Sequence, residues 1–595
     1  MLYNEWVYGG DKKLPTGIKE VHMRANGSTR KFAAFTGQAA LFILVALFFI
    51  SAVSVFSASA SDFRRITAKA FRAMESDGKE IAIIDPREEG VYGKAHLLLA
   101  VNVPLSKLEI DIGNSVPRKS TRLVLTDGGE GTAERAALKL DELGYSSISI
   151  LDGGVPAWKT AGFEVFSGTS VPSKGFAEWI SEVYHTPSIT PAELKKKLAD
   201  GKDVIVLDSR PFNEYANMNI PGSINVPSSE LVYRFSELPV KKDTLVVVNC
   251  AGRTRGIIGA QTLINAGLKN VVWLKGGTPA WSMAGFELEH SSSRIAPEPK
   301  GEKYRQALQT AQKIAAKYNV KTIDAKTLTA YKAEKDRSVY IIDIRTPDDF
   351  RAGHRPDSTY AWGVTLVQST EKFVGTRNAR IVLVDNHMVR ALMTASWLVQ
   401  SGWPDAVVLA EPFKGIKLET GDKKPVVPGL SDIRLAQIEP AKLNELLQAK
   451  KAAVIDFADS LRYKQGHIPG AWFAIRSRLT ESLNKFPDAP VFVVTGDNPA
   501  LVALAGRDLA KLSRKPVSIL AGGNAAWRKA KLPLNKGFEN LSTEADNVWG
   551  TPGTWGFFEG KEFDKAAIEY RDWELQLPAQ LERSGEVKFT GAPTR

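Results

Sequence analysis

Residues 245–256 read LVVVNCAGRTRG: four apolar residues and an asparagine lead into Cys250, and a glycine and two arginines follow within five positions. Cys250 is the only cysteine in 595 residues. An internal disulfide and a cysteine-rich zinc or iron–sulfur site are therefore excluded. The histidines (His22, His96, His185, His290, His354, His387 and His467) show no metal-ligand spacing, so neither metal nor cofactor is expected. What remains is a nucleophilic sulfur or an inert small hydrophobe at the end of a strand. Ala251 and Gly252 let the backbone curl with its N–H groups turned inward, an anion-binding nest. The loop runs through Thr254 into a helix N-terminus whose dipole favours a thiolate, and Arg253 and Arg255 add positive charge. On this reading Cys250 is a thiolate near neutral pH beside an anion cradle.

Elements of a parallel sheet would position that loop. VIVLD, LVVVN and VVWLK are short apolar runs without alternation, as in strands buried on both faces. Helical patterns lie between them. Thr190 caps TPAELKKKLADG with Pro191 at its first position, and Gly267 closes RGIIGAQTLINAG. Strands alternating with helices predict a parallel sheet covered by helices, with ligands at the carboxyl ends of the strands.

The pattern repeats. IAIIDPREEGVYGKAHLLLAVNVP (81–104) matches VIVLDSRPFNEYANMNIPGSINVP (204–227), and SISILDGGVPAW (147–158) matches NVVWLKGGTPAW (270–281), at one constant offset of 123 residues. Weaker copies follow at 339–358 and 452–472, the last with VSILAGGNAAW at 517–527. The equal spacing of the first two copies suggests that they pair. The constant offset puts Asp127 where the second copy has Cys250, and Glu130 reverses the charge of that loop. In the third copy Asn386 falls near the position, and in the fourth Gly496. One active unit and three silent ones is the expectation.

The marks resemble the rhodanese-like sulfurtransferase family: GHIPGAW (466–472), the cysteine loop CAGRTRG (250–256), GGTPAW (276–281), and Asp-x-Arg at Asp85/Arg87, Asp208/Arg210 and Asp343/Arg345. The resemblance covers nearly everything from about 63 to 535. It implies an α/β fold of four tandem rhodanese-like domains, each a parallel sheet with helices on both faces. The boundaries read 61–168, 186–290, 320–422 and 434–535, with a linker at 291–319 and a tail at 536–595. It further implies a rhodanese-type, thiosulfate sulfurtransferase-like enzyme. Cys250 would take a sulfane sulfur from an anionic donor such as thiosulfate and pass it, as a persulfide, to a thiol or cyanide, or to a protein acceptor. The amides of Ala251, Gly252, Arg253, Thr254 and Arg255 would bind substrate, one or both arginines would hold the donor, and Asp208 and Arg210 would brace the loop. His96, His354 and His467 read as structural, and so does Asn219, which stands where the family usually has histidine.

Two rivals share the pattern. A cysteine phosphatase or arsenate reductase needs an arginine six positions after the cysteine; here that position is Gly256 and the arginine is one earlier. A non-catalytic scaffold would only bind an anion or a persulfide carrier.

Two regions stand outside the repeats. Residues 32–60 carry no charge and are long enough to cross a bilayer, which predicts a membrane anchor after the tail 1–31, or an exported protein cleaved after Ala58-Ser59-Ala60. The body would then face the periplasm or exterior. The tail shows Trp, Phe and Gly and no visible chemistry, and reads as an arm that packs on a domain or a partner. Net charge is +12, but no basic helix or aromatic-interleaved basic patch accompanies it, so no nucleic acid partner is expected.

Overall fold

Val246, Val247 and Val248 point alternately to the two faces of a sheet and are buried on both, as a strand covered by helices requires. The structure is a computed structural model that describes residues 63–551 and 560–591. Among these residues the strands form four sheets, one per repeat. In repeat 2 the order is Ser188–Ile189, Val271–Leu274, Leu245–Asn249, Val204–Asp208 and Ile224–Asn225, all parallel. One face packs Val246 and Val248 against Ile257, Ala260 and Leu263 of helix Thr254–Asn265; the other packs Val206 and Val247 against Leu194 and Trp281. Thr190 forms a full capping box with Glu193, and Gly267 takes φ +101.

Repeats 3 and 4 keep that strand order. Repeat 1 gains a strand from elsewhere: Thr376–Arg377 of repeat 3 pairs antiparallel with Ile81 and Ala82. Glu80 seals the junction by accepting from Thr121 and Ser338 hydroxyls, each at 2.8 Å.

The expected pairing of repeats 1 and 2 is not what forms. Repeat 2 packs on repeat 3: Val232 and Tyr233 lie in the core around Ile342 and Leu383, Val367 and Trp397 lie in the core around Val246, and Trp397 Nε1 donates to Thr262 Oγ1 at 3.0 Å. Repeat 1 packs on repeat 4: Ile110 enters the core around Ile455, Arg476 spans Glu109 (2.8 Å) and Asp508 (2.7 Å), and Ser477 donates to Glu88 at 2.9 Å. Equal spacing records a shared fold. The contacts between repeats are instead made by the surface after the third strand of each repeat, where repeat 4 offers Arg476 to Glu109.

Two connecting stretches are helical and belong to cores. Within the expected linker 291–319, helix Gly301–Lys317 buries Ala307, Ala311, Ile314 and Ala315 in the repeat 3 cluster. Helix Val171–Val183 precedes repeat 2 and puts Phe176, Ala177 and Ile180 into its core. The tail packs widely. The amide of Gly90 donates to Asp546 O at 2.8 Å, and helix Gly560–Ser584 lies along Val171–Val183. The apolar segment 32–60 lies outside the described residues; among the described residues no helix is long and apolar enough to cross a membrane.

Candidate active site

Asp208 and Asn249 face each other in register at the carboxyl ends of adjacent strands, and Cys250 follows immediately. The Asn249 amide donates to Asp208 (3.0 Å) and to Thr278 Oγ1 (2.9 Å), and the Thr278 N–H donates to the Cys250 carbonyl at 2.9 Å. Gly277 has φ +58, and a Cβ there would lie 2.2 Å from the Cys250 carbonyl, so only glycine fits. Arg210 clasps the Asp208 carboxylate at 2.9 and 2.7 Å and donates to Met218 O at 2.6 Å. Asp208 and Arg210 lie buried beneath the loop, joined to it through Asn249.

Two backbone amides meet the sulfur, those of Gly252 and Gly256. The Gly252 N–H points at Cys250 Sγ from 3.3 Å, and the Gly256 amide, in the first turn of the helix, supports the sulfur as well. A Cβ on Gly256 would stand 3.4 Å from Sγ. Ala251 is half-buried and Thr254 is buried.

The thiol departs from expectation. Cys250 is 2% exposed, and burial pushes its pKa up. The nearby charge of Arg255 and the two amides pull it down, while Asp208 adds to the rise; burial wins. The sequence displays the charges but not the depth of the sulfur, which is why it reads as a ready thiolate.

Neither arginine is free to hold a donor. Arg253 forks onto Glu178 at 2.6 and 2.5 Å and stacks over Trp273 at 4.7 Å. Arg255 forks onto Glu214 at 2.7 and 2.9 Å. Arg255 acts on the sulfur through its field rather than as a loose ligand. Glu178 and Glu214 were not singled out from the sequence. Glu214 could have been found, because Arg390 and Asp349 repeat the pair in the third copy at 3.2 Å. Glu178 lies outside the repeat and carries no such signal.

Strand register fixes the equivalent positions elsewhere. Asp127 is confirmed in repeat 1, and its carboxylate takes the amides of Gly129 (2.9 Å) and Ala133 (3.0 Å). In repeat 3 Asp343 pairs with Val384, so the position belongs to Asp385, not Asn386. Asp385 accepts from His387 and Ala391 amides, each at 3.3 Å, and Asn386 instead accepts from Arg390. Repeat 4 has Gly496. The histidines are structural in geometry: His354 and His467 meet the carbonyls of Phe350 and Tyr463 at 3.0 and 2.8 Å, and Asn219 Nδ2 donates to the equivalent Tyr215 O at 3.1 Å. His96 instead meets Phe166 O at 2.9 Å.

The tail also reaches this neighbourhood. Glu574 of helix Gly560–Ser584 is buried within electrostatic range of Arg253 and Glu178, and Tyr570 within that of Cys250 and Arg255. Among the described residues no group of three or more His, Cys, Asp or Glu could hold a metal.

Comparison with known proteins places the chain among rhodanese-like proteins. A family model described as "Rhodanese-like domain" matches residues 67–161, 190–284, 324–419 and 439–530. A sulfurtransferase of Allochromatium vinosum is 33% identical over 105 residues, 18% of this chain and 91% of its own. A putative thiosulfate sulfurtransferase of Mycobacterium tuberculosis is 31% identical over 121 residues, 18% of this chain and 41% of its own. The crystal structure of a thiosulfate sulfurtransferase from Pseudomonas aeruginosa is similar across 89% of this chain and 100% of that one, with a TM-score of 0.83 and 38% identity.

Proposed function

The chain belongs to the rhodanese-like domain family, and from that premise we propose that repeat 2 is a sulfurtransferase acting through Cys250 while repeats 1, 3 and 4 are silent. The observation that carries this reading is the sulfur of Cys250 in its amide cradle, 3.3 Å from the Gly252 N–H, at a position where the other repeats have Asp127, Asp385 and Gly496. The Cys250 thiolate attacks the outer sulfur of thiosulfate; the S–S bond breaks and sulfite leaves with the bonding pair. A thiol acceptor, as its thiolate, or cyanide then attacks the terminal sulfur of the persulfide, and Cys250 departs as thiolate. The raised thiol makes the first step faster at alkaline pH.

Intact-mass measurement after incubation with thiosulfate, beside Cys250→Ser, tests the reading. A gain of about 32 Da, one sulfur atom, reversed by cyanide and absent from the variant, is expected. A reduced, alkylatable Cys250 that takes no sulfur from thiosulfate or other sulfane donors would leave the scaffold reading in its place. That reading is favoured by one observation, the near-complete burial of the sulfur. For residues 32–60 the proposal remains an anchor or export segment, which N-terminal sequencing and membrane fractionation of the expressed protein decide.

A further inference from the structure

Repeat 3 keeps the charged frame of the cysteine site without the cysteine. Glu214, Cys250 and Arg255 of repeat 2 correspond to Asp349, Asp385 and Arg390, all at one offset of 135 residues. In repeat 3 the carboxylate at the cysteine position takes the arginine: Asp385 meets Arg390 at 3.0 and 2.8 Å. Asp349 keeps only a single contact with Arg390, at 3.2 Å. Asn386 also accepts from this arginine at 2.6 Å, and Glu230 stands 3.8 Å from it. In repeat 2 a thiol replaces the carboxylate, and Glu214 takes both terminal nitrogens of Arg255, at 2.7 and 2.9 Å. Among the described residues Glu214 is the one hydrogen-bonding partner of that guanidinium. Arg255 directly precedes Gly256, where an added Cβ would stand 3.4 Å from the Cys250 sulfur.

The two carboxylates that fork onto the loop differ in their access to water. The side chain of Glu178, on Arg253, is 4% exposed, whereas that of Glu214 is 36% exposed. Glu214 can therefore turn into water at small cost, and Glu178 cannot. Burial raises the Glu214 carboxyl, but Arg255 and Arg210 bring it below its ordinary value, so it is an anion across the neutral range.

Resting on the sulfurtransferase reading, we infer that Glu214 is a positioning residue that an anionic sulfur donor displaces: the oxyanion of the donor, arriving at Cys250, takes Arg255 from Glu214 as the Asp385 carboxylate takes Arg390 from Asp349. Until then the fork keeps a buried cation paired and fixes its place beside the loop. The exchange also selects among donors. An oxyanion replaces the ion pair that is given up, and an uncharged donor does not. Glu214 touches no reacting atom and acts through Arg255.

The test alkylates Cys250 of the full chain with anionic iodoacetate and with neutral iodoacetamide at pH 8. The ratio of the two rates cancels the thiolate fraction and reads how well the site receives an anion. Glu214→Gln, which releases Arg255, is expected to raise the ratio by about threefold or more, the effect of one partly screened charge. Glu214→Asp is the decisive variant, because it keeps the charge and shortens the reach. A field effect alone leaves its ratio at the unaltered level. Exchange raises it, since the two-pronged fork becomes a single contact of the kind Asp349 makes. The KM for thiosulfate falls in both variants, further in Glu214→Gln, while kcat changes less. Thermal melts establish that both variants are folded. An unraised ratio in folded Glu214→Asp overturns the inference. If the ratio rises in both variants while no sulfur loads from any donor, the transfer reading fails and the exchange at Arg255 stands. If sulfur loads while the ratio ignores Glu214, only this inference fails.

Discussion

Asp127 holds in repeat 1 the place that Cys250 holds in repeat 2, and it draws on the same two amides. Its carboxylate takes the N–H groups of Gly129 and Ala133, two and six positions on, as the sulfur of Cys250 is supported by Gly252 and Gly256. The cradle is therefore preserved and filled by a side-chain carboxyl. Asp127→Cys is expected to place a thiol there that alkylates but takes no sulfur from thiosulfate, because Glu130 and Thr132 stand where repeat 2 has Arg253 and Arg255. Intact mass of Asp127→Cys/Cys250→Ser after thiosulfate, beside an iodoacetamide control, checks it.

Gly256 leaves room for the sulfur. Gly256→Ala puts a methyl 3.4 Å from Sγ, where an added sulfur atom has to be accommodated. Sulfur loading is expected to fall about tenfold while thermal stability changes by less than ~1 kcal/mol, since alanine favours the helix. Gly277→Ala is the contrast: its Cβ meets the Cys250 carbonyl at φ +58, and a loss of ~2 kcal/mol or more is expected. Denaturant melts of both variants separate the two cases.

Arg255 lowers the thiol that burial raises. Arg255→Gln pushes it further up, so that alkylation by iodoacetamide at pH 8 slows by about tenfold, the value of one pKa unit. A pH–rate profile that keeps its midpoint would show that the field of Arg255 does not reach the sulfur.

The contact between repeats 1 and 4 is acid-sensitive. Arg476 holds the Glu109 carboxyl down at about 2 against burial. A depressed carboxyl contributes stability above its unfolded value near 4.5, and that contribution is lost as pH falls toward 2. About 3 kcal/mol is at stake. Glu109→Gln should lose most of it at neutral pH and flatten the acid limb of a urea-denaturation series.

The tail responds in the opposite direction. Glu75, Glu574 and Glu586 are buried where the tail docks, and burial raises all three, with Glu75 adding to the rise of Glu586. An unfolded carboxyl gives up its proton first, so docking weakens as pH climbs from about 4.5 through the raised values near 7 and 8. Hydrogen exchange of residues 560–591, corrected for intrinsic rates, should show less protection at pH 8.5 than at pH 6.

Much of the architecture is legible in the sequence because runs such as LVVVN permit little but a doubly covered strand, and a constant offset reveals the repeats. The cysteine loop and its bracing by Asp208 and Arg210 are legible for the same reason: they are local in the chain. Long-range partners are not. Glu178 and Glu574 reach the loop from helices outside the repeats, and nothing in their own segments marks them. Asn386 was one place off because repeat 3 has lost its Gly-Gly ending, so the offset cannot be checked, whereas the strand ladder fixes Asp385 directly.

The order of the repeats has a consequence for synthesis. Repeat 1 receives its antiparallel edge strand from Thr376–Arg377, Lys79 is bonded by Asn378 across 299 residues, and Glu109 meets Arg476 across 367. At ribosomal speeds of about 5–20 residues per second, the strand at Ile81 is outside the tunnel for roughly 15 to 60 s before Thr376 follows to cover its edge. An uncovered edge strand is a template for mispairing. Shielding of that edge during synthesis would protect the nascent chain, and translational pausing between repeats 1 and 3 would lengthen its exposure.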